Sequence, residues 1–200
     1  MNKFFVTIIP VMLLQATLIG CGPSRQQPNS DWQPVKEAQL TSDQAAQRDK
    51  ALLARDGMFK SLKGRLLEVV GAEGPGAAIE VCSREAPQIA DQVSQEHGLA
   101  IGRTSFRLRN PDNSPPEWAT RLVEDRVAEP TYLTNDGRFA ALLPIRLQPE
   151  CLMCHGQEEE ILPAVADALA EHYPRDEATG FREGGLRGWF WVEVPAVDGP

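Results

Sequence analysis

The chain has 200 residues and a formal net charge of −8, enough for one domain with a real core but not comfortably for two. Its acidic balance, with no long basic run, excludes a nucleic-acid binder, whose surface carries a basic footprint.

The first twenty residues, "MNKFFVTIIPVMLLQATLIG", place one early charge, Lys3, before a long apolar run that closes on small residues. That is the plan of an export signal. Pro10 and the short apolar length speak against a retained membrane-spanning helix. The run ends in "LIGC", which resembles a bacterial lipobox. The resemblance implies cleavage before Cys21 and lipid on that residue, and several acyl chains anchor a protein stably. Gly22 follows, with no Asp to signal inner-membrane retention, so the expected place is the cell envelope, lipid-anchored at the outer membrane and facing the periplasm. Loss of residues 1–20 removes one Lys and no acid, leaving −9. Residues 21–44 are polar, with prolines at 23, 28 and 34, and read as a tether. Trp32 within it reads as a docking contact.

Residues 45–195 form the expected domain. Leu52, Phe59, Leu62, Leu66 and Val70 recur at helical spacing and predict a helix over 44–70, weakened by Gly57 and stopped by Gly71. A second helix is predicted over 75–96, with Pro75 in its first turn and Gly98 at its exit. Ala78, Cys82, Ala86, Ile89 and Val93 line one face of it. Residues 100–109 alternate as a strand, with Arg103, Ser105, Arg107 and Arg109 on one face. The loop "NPDNSPPE" leads to a short helix over 116–128, and Asn110 and Asn113 read as loop-shaping. A hairpin follows, with strands over 130–134 and 138–147 around the Asn-Asp-Gly turn at 135–137. A helix over 159–172 comes next, its start capped by the acidic run at 158–160. The final strand, 188–194, carries Trp189, Phe190 and Trp191, which read mainly as core. Helices before and between antiparallel strands make the expected fold class α+β.

Between the hairpin and the last helix lies "QPECLMCHGQ", residues 148–157. A Cys-x-x-Cys-His run can hold zinc, a redox dithiol or a covalent haem. With Cys21 lipidated, three cysteines remain, an odd number that no complete disulfide framework accommodates. A closed zinc site needs four ligands, usually as two spaced pairs, and no second pair exists. A thioredoxin-type dithiol belongs at a strand-to-helix junction of a βαβ unit, a setting absent here. Covalent haem fits with least strain: Cys151 and Cys154 add to the vinyl groups and His155 reaches the iron. The opposite ligand is left open by the residues themselves, among Cys82, Met58, His97, His172 or none. Arg103, Arg107 and Arg109 are candidates to hold the haem propionates, Arg103 first.

Four stretches, "VCSREAPQIA" (81–90), "IGRTSFRLRNPDNSPPEW" (101–118), "CLMCHG" (151–156) and "YPRDEATGFREGGLRGW" (173–189), together resemble the Tll0287-like family of exported single-haem proteins. The resemblance implies a PAS-like domain: an antiparallel sheet with N-terminal helices, carrying one covalent haem c. It implies His155 on one face of the iron and Cys82 on the other, and so a low potential. The functional expectation is electron transfer with an unidentified redox partner protein. The alternative is a haem-based redox or gas sensor that takes a small gas ligand when reduced. No acid–base arrangement for an enzyme is visible in the sequence.

Overall fold

The computed structural model describes Met1 and residues 31–196. The expected export signal, apart from Met1, and the expected lipidation residue Cys21 lie outside the described residues. The architecture is the expected α+β one: a five-stranded antiparallel sheet in the order β1-β3-β4-β5-β2, preceded and flanked by helices. The strands are β1 (Gln33–Val35), β2 (Ala100–Thr104), β3 (Thr131–Asn135), β4 (Arg138–Arg146) and β5 (Leu186–Val194). The helices are α1 (Ser42–Glu73), α2 (Ala78–Glu80), α3 (Ala86–His97), α4 (Thr120–Glu124), α5 (Leu152–His155) and α6 (Pro163–His172). Among the described residues no helix is long and apolar enough to cross a membrane.

The sheet is covered on both faces, which explains why "FAALL" in β4 lacks polar alternation. Phe139, Ala141 and Leu143 of β4, with Phe190 and Val192 of β5, pack under Ala51, Ala54 and Met58 of α1. Ala140, Leu142 and Trp189 face the other way, against Trp118, Ala119 and Val123. Trp189 is fully buried, and its ring N–H donates to the Val127 carbonyl at 2.8 Å. β1 lies inside the stretch read as a tether. It pairs with β3, and Trp32 beside it packs 6.1 Å from Trp118.

α1 starts at a capping box, Thr41 with Gln44, and runs through Gly57, Gly64 and Gly71 to a cap at Gly74, φ +91°. Gly71 does not stop it. A helix of this length spans about 48 Å and overshoots the sheet. The apolar stripe therefore divides: Leu52 packs on the sheet core beside Ala51, Ala54 and Met58, while Phe59, Leu62, Leu66 and Val70 form one wall of a cleft.

The predicted helix over 75–96 is broken. Between α2 and α3, residues Val81–Glu85 form a π turn, closed by the Ala86 N–H to the Val81 carbonyl five residues back. Pro87 at the start of α3 accounts for this. Its ring has no N–H and clashes with the carbonyl four residues before it, so the chain widens upstream. Arg65 of α1 grips the turn with a forked ion pair to Glu85, at 2.7 and 3.2 Å. The strand expected over 100–109 ends at Thr104. The acidic run at 158–160 is a separate 3-10 turn; Leu162, not an acid, precedes α6.

Gly188 in β5 has no room for a side chain: a Cβ would lie 2.2 Å from the Thr104 carbonyl. Gly188→Ala should lower the unfolding free energy by about 2 kcal/mol through overpacking. Gly57→Ala, whose Cβ meets nothing within 4 Å on a helix, should raise it by about 0.5–1 kcal/mol. Urea denaturation of both variants checks the pair.

Candidate functional site

The cleft lies between the overshooting half of α1, the α2–π segment, the adjoining ends of β2 and β5, and the 149–155 turn. The cleft has a cavity volume of about 190 Å³ and opens to solvent at its mouth. Four sequence-predicted residues of the "CxxCH" centre meet here: Cys82, Cys151, Cys154 and His155 all line the cleft. Met58 is buried in the sheet core, and neither His97 nor His172 lines the cleft. Among the described residues no three His, Cys, Asp or Glu side chains gather as a metal-ion site.

The turn is built by Pro149, which opens a 3-10 turn ending at Cys151, followed directly by α5 with Cys154 and His155. Cys151, Cys154 and Cys82 are free, half-buried thiols. Burial pushes the Cys151 thiol up, and Cys154 up to about 11. Cys82 packs with Cys154 against Ile79, Val165, Leu169 and Tyr173, which join α2 to α6.

His155 is oriented by backbone. Its Nδ1 lies 2.7 Å from the Ala178 carbonyl, and a carbonyl only accepts. The ring proton therefore sits on Nδ1, leaving the Nε2 lone pair free as a ligand. Arg187 Nε is 3.3 Å from the same Nδ1; with that proton in place this is a contact between two donors, not a hydrogen bond. Burial first, then Arg109 and Arg187, hold His155 well below the ordinary histidine range, so the imidazole is neutral.

The segment 176–181 straps this turn. Gly180 N–H donates to Gly156 O at 2.6 Å and Phe181 N–H to His155 O at 2.9 Å. Ala178 N–H donates to Asp176 Oδ1 at 2.8 Å. Arg109 locks the strap: it pairs with Asp176 at 3.0 Å and donates to the Cys154 carbonyl at 2.5 Å and to Ala178 O at 3.4 Å. The two charged side chains are only 6% and 10% exposed. Gly156 closes the turn against Leu152 O, where a Cβ would sit at 2.6 Å.

The three candidate arginines separate. Arg103 and Arg109 line the cleft. Arg107 does not: beyond the end of β2 its Nε donates to Glu177 O at 2.7 Å and its guanidinium lies 4.7 Å from the Phe181 ring centre. Arg187, unforeseen from the sequence, lines the cleft instead. Burial, then Arg109 and Arg103, pull it down to about 9. Two buried polar atoms of the lining have no partner, Thr104 Oγ1 and Arg109 Nη1. Asn113 also faces the cleft. Asp176 and Arg187 fall in the stretch 173–189 quoted above, which was the signal available for them.

The crystal structure of the cyanobacterial heme-protein Tll0287 matches with a TM-score of 0.56 at 21% sequence identity, covering 80% of this chain and 100% of that one. No curated protein matches significantly. The Tll0287-like family model matches residues 25–195, and the chain belongs to that family.

Proposed function

We propose that the chain holds one haem c in this cleft, bonded through Cys151 and Cys154, and serves as a single-electron carrier rather than an enzyme. The observation that carries this reading is a neutral His155 with its Nε2 free, one residue beyond two half-buried thiols, at a cleft that Cys82 also lines. The family and its haem-protein relative support the cofactor. When bound, the haem supplies one-electron chemistry at its iron. His155, held by Ala178, and Cys82 would be the residues that hold the iron, and a Cys82 thiolate would favour the ferric state and a low potential. The apolar walls from α1 keep water from the site. Lipid on Cys21 holds the carrier at the outer membrane, where it meets a redox partner protein.

One observation favours a second reading, a haem-based redox or gas sensor. Cys82 sits in the π turn Val81–Glu85, a wider turn of a kind common at functional sites. Reversion of that turn would withdraw Cys82 and open a position for a small gas ligand.

In the haem-loaded protein, Cys82→Ala should abolish the ferric low-spin spectrum; an unchanged spectrum removes Cys82 from the iron. Reduced wild-type protein of a carrier should show no change on adding CO, whereas a CO-shifted spectrum favours the sensor. Asp176→Asn leaves Arg109 buried without its counter-charge and should cost about 3–5 kcal/mol, read by denaturant unfolding.

A further inference from the structure

Arg187 occupies an unusual backbone position. β4 and β5 pair regularly to Ile145↔Gly188 and resume at Arg146↔Leu186. Arg187 is thus the extra residue of a β-bulge, opposite no partner. Bulges re-aim side chains and collect beside active sites. This one is pinned by Ser105 Oγ, which donates to the Arg187 carbonyl at 2.7 Å, and by Arg187 Nη1, which donates to the Arg107 carbonyl at 3.1 Å. Beside it lie Arg103 of β2 and Arg109. Three guanidiniums therefore line one cleft, and of these Arg109 is held by the Asp176 carboxylate behind it. Lys63 and Glu150 at the mouth pair with each other at 2.5 Å and add nothing net. Like charges gathered out of water are costly unless an anion joins them. Two donors are also left over: Arg109 Nη1 and Thr104 Oγ1, on side chains only 6% and 3% exposed.

We infer that Arg187, Arg103 and the free edge of Arg109 form a subsite for two carboxylates, the propionates of a porphyrin, with Arg187 as its central residue. The inference rests on the reading of a haem in this cleft and adds where its acidic edge lies. Two carboxylates match the two unmatched positive charges. Each accepts from the planar fork of a guanidinium, which a lysine cannot reproduce in shape. The bulge is then a device for delivering a cation to a sheet end whose regular alternation would have turned it away.

The test uses the full chain made in a host without haem-attachment machinery, titrated with zinc protoporphyrin IX and with its dimethyl ester. The diacid should bind the wild-type chain about tenfold to a hundredfold tighter than the ester, the size of one or two charge-assisted hydrogen bonds. Arg187→Gln should close most of that gap and Arg187→Lys should keep part of it. Equal binding of diacid and ester by the wild-type chain overturns the subsite while leaving the haem cleft standing. Failure of both porphyrins to bind overturns the haem reading itself, and the subsite with it. The wild-type comparison needs no variant, so a misfolded substitution leaves the test intact.

Discussion

The site depends on one carbonyl. Ala178 O must face His155 Nδ1 for the ring to stand with Nε2 free, and that carbonyl belongs to a loop with no regular structure of its own. Its position is set by a buried ion pair, Arg109 with Asp176, that grips the strap from both sides: Asp176 receives the Ala178 N–H, and Arg109 reaches both Ala178 O and Cys154 O. Buried pairs are weak as sources of stability but costly to break. A pair of this kind suits a structure that must hold one arrangement of a short loop. The strap and the Cys-x-x-Cys-His turn are therefore one unit, joined along both backbones.

The sheet supplies the rigid body on which this unit is mounted. Because helices and aromatic side chains cover both faces, the functional region is displaced to an end of the sheet, where α1 overshoots and β2 and β5 terminate. Two local irregularities shape that end. The π turn presents Cys82, and the β-bulge presents Arg187. Each departs from regular hydrogen bonding where a chemistry-bearing residue enters the cleft. Fold alone does not assign a role to such an arrangement; the chemistry of the side chains does.

Much of this was legible in the residues. The Cys-x-x-Cys-His run is contiguous, so its reading needed no tertiary information. The hairpin turn at 135–137 and the Gly98 exit followed from backbone preference, and Gly98 does adopt φ +55°. Other features were not local. The alternation of Arg103 to Arg109 continues past Thr104, yet the Leu108 carbonyl pairs with Glu177 N–H in the strap instead of with a strand. Only the fold decides that competition. Pro87 was in plain view, but its effect appears several residues upstream, in the turn bearing Cys82. β1 is three residues long and owes its existence to β3. Arg187 shows no signal of its own, since a bulge is defined by the partner strand it fails to match.

The central claim is a porphyrin joined to the polypeptide through Cys151 and Cys154. The most direct measurement is acid–acetone extraction of the mature protein, purified from a host that attaches haem c. The account predicts that the haem absorbance stays with the precipitated polypeptide, and that a Cys151→Ala, Cys154→Ala variant loses it to the solvent. Haem that extracts freely from the wild-type protein, or a wild-type protein that carries none, would contradict the account.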